Sequence, residues 1–178
     1  MSIDLAFKIC VLGEAGVGKT SLTRRYLTDR FEKDIGKTMG VDISVKKLEI
    51  ARKKIALQIW DFVGEYMYRT FLPIYARGAS GGIFMYDITR FESLINLKEW
   101  LKIFNNATGE SEKKIPLFIV GGKCDLYSKR TIIFEDAINL MKSFNISEYI
   151  ECSSKTGQNV NIIFEKLTLT MMENAGFI

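Results

Sequence analysis

Two kinds of segment alternate along the chain. Residues 5–12 read as a strand, and residues 83–86 and 115–120 are short, nearly continuous apolar runs. Such runs predict strands covered on both faces, because a strand between two layers of helices has no polar face to present. Residues 41–50 alternate loosely, with Val45, Leu48 and Ile50 apolar among Lys46, Lys47 and Glu49; residues 55–60 form a further strand, and residues 51–54 between them read as a hairpin turn. Residues 148–150 add one more short strand. Elsewhere apolar residues keep helical spacing. Leu22 to Tyr26 lie in a helix opening at Lys19. Leu94, Leu97, Leu101 and Phe104 form a second stripe, Phe134, Ala137, Ile138 and Met141 a third, and Val160, Ile163, Phe164 and Leu167 a fourth. Strands alternating with such helices predict a doubly wound α/β sheet, with the hairpin as one antiparallel edge. No repeat or linker breaks the pattern, so residues 1–178 read as a single domain. The most polar stretch, residues 105–114, reads as a surface loop, and Phe84, Tyr86, Phe104, Phe118, Phe134 and Phe164 read as core. In a sheet of this kind, functional residues lie at the carboxyl ends of strands. Each candidate motif must therefore follow a strand.

Composition narrows the chemistry. The 178 residues are 47% hydrophobic and 26% charged, with 2 prolines; a chain of this size buries a core without disulfides or metal. Disordered, collagen-like and disulfide-scaffold classes are excluded. The balance of 25 Lys+Arg against 21 Asp+Glu, a formal +4, does not argue for nucleic acid, and no nucleic-acid partner is expected. There is no histidine. That removes Ser-His-Asp and Cys-His nucleophiles, histidine metal sites and imidazole bases. Cys10, Cys124 and Cys152 are far apart and odd in number, which fits reduced thiols and a cytoplasmic setting. No apolar run is long enough to span a membrane, and Asp4 and Lys8 break any signal-peptide pattern. Ser2 excludes N-myristoylation and the last four residues carry no cysteine for prenylation, so no covalent lipid anchor is expected and any membrane contact would be peripheral, through partners.

The segment Gly13-Glu14-Ala15-Gly16-Val17-Gly18-Lys19-Thr20 follows the first strand and matches the phosphate-binding pattern G-x-x-x-x-G-K-[ST]. Backbone N–H groups must close around phosphate oxygens, and glycine allows both the close approach and the positive φ this needs. The helix behind it aims its positive dipole end at the same anion. Lys19 supplies a compact charge for the β- and γ-phosphates, and the Thr20 hydroxyl suits Mg²⁺. Trp60-Asp61-Phe62-Val63-Gly64 follows the strand at 55–60: Asp61 can hold Mg²⁺ through water, and Gly64 can offer its N–H to a γ-phosphate. Gly121-Gly122-Lys123-Cys124-Asp125 follows the strand at 115–120, where a carboxylate can accept two hydrogen bonds from a guanine edge and the Lys123 stem can lie along the purine. Glu151-Cys152-Ser153-Ser154-Lys155 follows the last short strand; Ser154 can offer its N–H to guanine O6 and Lys155 can pack near the base. Taken alone, Ser153 and Ser154 read equally as a helix N-cap.

Four motifs in this order, each at a strand end, resemble the Ras superfamily of small GTPases, most closely its Rab branch, over residues 5–172. Met39-Gly40-Val41-Asp42, Leu57 through Asp61, Tyr75 through Ala79, Tyr86-Asp87-Ile88-Thr89 and Glu92 through Trp100 carry the same resemblance. It implies a P-loop NTPase (small GTPase) fold: a six-stranded, mostly parallel sheet with one antiparallel edge strand and helices on both faces. It implies GTP/GDP and Mg²⁺ as ligands; a monomer is the default expectation. Thr20, Thr38 and Asp61 would serve the metal, with Thr38 also sensing the γ-phosphate. Ser21 and Leu126 would join the nucleotide contacts, Phe31 would pack against guanine, and Asp125 would read it. Lys19, Thr38, Gly64 and Glu65 would form the hydrolytic set. Loss of the γ-phosphate would release Thr38 and Gly64, so that effector, exchange and activating proteins read residues 38–43, Trp60 and residues 65–75.

The chain also departs from the family. Glu65 stands where a glutamine usually orients the attacking water; an ionised glutamate can accept but not donate. Ala15 adds a methyl group near the reaction centre. Gly122 replaces the asparagine of N-K-x-D, which normally ties the base loop to the P-loop, so weaker nucleotide retention is expected. Ile35 replaces a switch I tyrosine. The leading expectation is a GTP switch with slow hydrolysis. A nucleotide-occupied binding module and, with less support, an ATP-dependent P-loop kinase are the alternatives.

Overall fold

Alternate residues of the central strand β1 (Leu5–Leu12) enter two different cores. Phe7, Ile9 and Val11 point into one, Cys10 and Leu12 into the other, as the two-residue period of a strand requires. The structure is a computed structural model that describes residues 3–33, 35–36, 39–109, 115–144, 146 and 148–178. After β1 come α1 (Lys19–Thr28), β2 (Val41–Ile50) and β3 (Lys53–Phe62). A 3₁₀ segment (Tyr66–Phe71) then leads into α2 (Leu72–Tyr75), followed by β4 (Gly81–Asp87), α3 (Phe91–Ile95), α4 (Leu97–Thr108) and β5 (Leu117–Gly122). A second 3₁₀ segment (Cys124–Lys129), α5 (Phe134–Phe144), β6 (Glu148–Glu151) and α6 (Val160–Asn174) complete the order. The strands form one sheet, β2-β3-β1-β4-β5-β6, in which the β2–β3 pair is antiparallel and the others are parallel. The expected six-stranded α/β sheet with one antiparallel edge is the fold observed.

One face is covered by α1 and α6, where Tyr26 stacks on Phe164 with ring centroids 3.9 Å apart. The other is covered by α2, α3, α4 and α5, where Trp100, Phe104, Phe84 and Tyr86 are fully buried. Each large apolar side chain so buried contributes about 2–3 kcal/mol. Both faces of β4 and β5 are therefore dry, which accounts for their unbroken apolar runs.

Several local expectations change. The hairpin turn shrinks to Ala51 and Arg52, both left-handed, while Lys53 and Lys54 pair with Ile50 and Glu49. Along the edge strand β2, Val45 faces solvent and Lys46 turns inward, because the inner face lies over α1. There the Lys46 ammonium sits 4.5 Å from the Tyr26 ring and donates to the Tyr26 carbonyl at 2.6 Å. Residues 105–108, read as loop, continue α4, and the Thr108 hydroxyl donates back to the Phe104 carbonyl at 3.0 Å; residues 110–114 lie outside the described residues. The stripe from Leu94 to Phe104 is divided by a turn at Asn96. Phe134 is 53% exposed at the head of α5, edge-on to Tyr149, and is not core. Among the described residues, no helix is long and apolar enough to cross a membrane.

Candidate functional site

The loop after β1 is shaped by cations that hold its carbonyls. Lys19 donates from Nζ to the Glu14 carbonyl at 2.8 Å, Arg90 to that of Ala15 at 2.8 Å, and Lys123 to that of Gly16 at 2.8 Å. Three successive carbonyls are thus fixed by positive side chains from α1, the β4–α3 connection and the β5 end. Backbone polar groups need partners, and carbonyls committed in this way leave the loop's N–H groups for an anion. Gly13 has φ 138, and a Cβ there would lie 2.1 Å from the Met85 carbonyl oxygen, so only glycine lets the loop leave β1 this close to β4. The loop borders a cleft of about 520 Å³ at the carboxyl end of the sheet. Ala15, Gly16, Gly18, Lys19, Thr20 and Ser21 line it from one side, and Gly64, Glu65 and Lys123 from others. Glu14 and the buried Val17 instead turn away from it, Val17 into the core.

Burial sets the electrostatics. Lys19 is 5% exposed. Burial lowers its pKa to about 8; Asp61 and Glu14 oppose that shift, and Arg90 adds to it. Asp61, at the end of β3 and 1% exposed, is raised to about 6 by burial, against the opposing Thr20 hydrogen bond and Lys19 charge. The Thr20 hydroxyl donates to Asp61 Oδ2 at 2.5 Å, and Asp61 Oδ1 is buried with no hydrogen-bond partner among the described residues. A hydroxyl and a carboxylate side by side, with one buried carboxylate oxygen still uncommitted, fit Mg²⁺. That ion takes hard oxygen donors and draws its remaining ligands from water and phosphate.

Gly64 follows Asp61 by three residues and lies against the phosphate loop. A Cβ there would fall 2.3 Å from the Ala15 nitrogen and from the Glu14 carbonyl carbon, so glycine is required for this approach. The 3₁₀ segment that follows is pinned through Arg69, which is buried and forms ion pairs with Glu14 and Glu99. Trp100 Nε1 also donates to Glu14, at 3.3 Å, and the guanidinium lies 4.9 Å from both the Trp100 and Tyr66 rings. Ile35 and Gly36 line the cleft as well. Thr38, expected at the metal, lies outside the described residues. Phe31 is exposed on the chain after α1 and does not line the cleft.

The base-side motifs form a second cluster. Asp125 accepts from the Ser153 hydroxyl at 2.6 Å, and Ser153 Oγ in turn accepts from the Thr156 N–H at 3.1 Å. This overturns the N-cap reading of Ser153 and Ser154: α6 begins only at Val160, behind Asn159. The two loops are stitched by backbone bonds from Cys124 to Cys152 at 3.0 Å and from Cys152 to Gly121 at 2.8 Å. Ser154 is buried beside them, Leu126 is half-buried, and Lys155 is exposed. Lys123 is left-handed (φ 65) and pairs with Asp87 at 2.7 Å, which holds the Asp87 carboxyl low. Burial alone would raise that carboxyl, but the bonds from Lys123 and Thr89 outweigh it. Behind the loops, Arg130 grips Glu151 through two bonds of 2.8 and 2.5 Å, Tyr149 donates to Glu151 at 2.5 Å, and Tyr86 meets Tyr149 at 2.8 Å. The cysteines are free. Burial pushes the Cys10 thiol up to about 12 and raises those of Cys152 and Cys124, which disfavours the thiolate at all three.

Asp87, Arg90, Arg69 and the Arg130–Glu151–Tyr149 group were not reached from the sequence as site-shaping residues. Asp87 lay inside a recognised motif without a role. The three arginines carry no spacing signal, because the partners these bonds join are 21 to 75 positions away.

The comparisons with known proteins agree with this geometry. The model of the Ras family matches residues 8–173. The chain is 40% identical over 171 residues to Ras-related protein RABC2a of Arabidopsis thaliana, covering 96% of this chain and 80% of that protein. It is 36% identical over 174 residues to Ras-related protein Rab-13 of Mesocricetus auratus, covering 97% and 83%. It is 33% identical over 170 residues to Ras-related protein SEC4 of Candida albicans, covering 96% and 79%.

Proposed function

Because this chain belongs to the Ras family of small GTPases, on its Rab side, we propose that it is a guanine-nucleotide switch with slow GTP hydrolysis. The observation that carries the reading is that Lys19 and Thr20 line one cleft, with Asp61 bonded to Thr20 behind it, beside a loop whose successive carbonyls are held by cations. In this reading the loop N–H groups and Lys19 bind the phosphates, and Thr20 and Asp61 hold Mg²⁺, whose charge balances the phosphate oxygens. Asp125, oriented by Ser153, selects guanine. Ser154 and Lys155 border the base, and Leu126 packs near it.

Gly64 offers its N–H to the γ-phosphate. Its contact with Ala15, together with the Arg69–Glu14 pair, links the 3₁₀ segment to the phosphate loop, so a change at the phosphate reaches the outer surface. That surface is apolar: Met39 is 87% exposed, and Ile43, Tyr66, Met67, Phe71 and Ile74 are also exposed around the Trp60–Tyr75 ring contact. Exposed apolar side chains of this kind suit protein partners, here effector, exchange and activating proteins. The family supports a place in membrane trafficking, with peripheral rather than spanning membrane contact.

Glu65 and Ala15 line the same cleft, and this favours one second reading, a nucleotide-bound module that hardly hydrolyses. Single-turnover GTP hydrolysis in Mg²⁺ separates the two. Under the switch reading, wild type turns over slowly and Glu65→Gln turns over faster, because an amide can both donate to and accept from the attacking water. No turnover in either protein would establish the module instead.

A further inference from the structure

Gly122 stands where three segments meet. It ends β5 opposite Asp87 of β4, and its carbonyl accepts from the Ile88 N–H at 3.2 Å. A Cβ built on it would lie 2.3 Å from the Met85 methyl carbon, 3.1 Å from the Val17 carbonyl oxygen and 3.3 Å from that of Tyr86. The same methyl would lie 3.3 Å from a Cβ on Gly18, while the Met85 carbonyl closes on Gly13. Met85 is 1% exposed. A single residue therefore touches both ends of the phosphate loop and the start of the base loop. Methionine is suited to this, being unbranched, adaptable and apolar. Position 122 is also the one at which the chain departs from the asparagine of N-K-x-D. The room a side chain there would need is the room the Met85 methyl fills.

We infer that Met85 and Gly122 are a size-matched pair that joins the phosphate loop to the base loop by packing, in place of a side-chain amide, and that Met85 is a positioning residue for nucleotide retention. The polar share of the junction passes to Lys123, which bonds the Gly16 carbonyl and Asp87. The inference rests on the guanine-nucleotide reading above. It reverses the expectation drawn from Gly122 alone: restoring asparagine in the presence of Met85 overfills the junction rather than repairing it.

The test is a double-mutant cycle on the full chain, with M85A, G122N and M85A/G122N, read by release of a fluorescent GDP in Mg²⁺ and by thermal melting without nucleotide. G122N is expected to release GDP about tenfold faster than wild type, M85A also faster, and the double variant more slowly than either single, with a melting point above both. G122A, which adds one carbon, moves release in the same direction and serves if G122N does not fold. Slower release from G122N or G122A, or effects in the double variant that merely multiply, would overturn the pair. Failure of wild type to take up GDP would overturn the nucleotide reading instead, and the melting cycle would then decide the pair: rescue upholds it, additivity overturns it.

Discussion

The two ends of the site are built on opposite principles. At the phosphate end, charge is buried with its charged forms disfavoured: Lys19 is pushed down to about 8 and Asp61 up to about 6. At the base end the charges are satisfied within the protein. Glu151 shares two bonds with Arg130 and one with Tyr149, Asp125 is held by Ser153, and Asn159 donates to the Glu151 carbonyl at 2.7 Å. A group buried in its disfavoured charge state destabilises the bare fold and gains most from a ligand of opposite charge. A satisfied network is already rigid and can discriminate by shape and hydrogen-bond pattern. The phosphate end therefore supplies affinity, and the base end supplies choice.

The largest expected effects on binding separate those roles. Lys19→Ala removes a buried cation from the phosphates and should cost about 3 kcal/mol, on the order of 100-fold in affinity, for guanine and adenine nucleotides alike. Asp125→Ala should cost about 2 kcal/mol for guanine nucleotides and leave the adenine ones unchanged, so that selectivity falls while phosphate binding persists. Calorimetric titration of both variants with GDP and ADP checks the pattern. Equal losses for the two nucleotides in Asp125→Ala would break the comparison.

Acid titration sharpens it with effects on the bare fold that have opposite signs at the two ends. Asp61 is raised from 3.8 to about 6 on folding, so the nucleotide- and metal-free fold binds that proton more tightly than the unfolded chain does. The penalty appears as pH rises through this window and is full above it, about 3 kcal/mol at pH 7. Asp61→Asn should therefore stabilise the bare protein at neutral pH and flatten stability between pH 4 and 6. Glu151 is shifted the other way. Burial would raise it, but the bonds from Arg130 and Tyr149 outweigh burial and lower it below 4.5. Its contribution is present above pH 4.5 and lost as pH falls through the lowered value. Glu151→Gln should then weaken the fold at neutral pH and lessen its acid sensitivity below 4.5. Denaturant melts across pH 3.5–7.5 read both slopes.

The same division governs what could be read from the sequence. Strand and helix periods announced the sheet, since the two-faced burial of β4 and β5 leaves unbroken apolar runs. The phosphate loop was readable because its chemistry is local: glycines, Lys19 and Thr20 stand within eight positions. Arg90, Arg69 and Arg130 were not, because a cation that fixes a distant carbonyl or carboxylate looks like any surface arginine until the fold brings the partners together. Lys46 failed in the other direction. It stood among the polar positions of an alternating strand, yet packing of the edge strand on α1 turned it inward onto Tyr26. Met85 read as one more apolar strand residue, and only the three-dimensional approach of Gly122 gives it a role.

The most direct test of the central claim is competition of GTP, GDP and ATP for the purified wild-type protein in Mg²⁺, followed by displacement of a fluorescent GDP. GTP and GDP are expected to displace the probe at concentrations at least about 100-fold below ATP, as when a site built to accept hydrogen bonds meets a base lacking the matching donors. Displacement by ATP at the same concentration as GTP would contradict it.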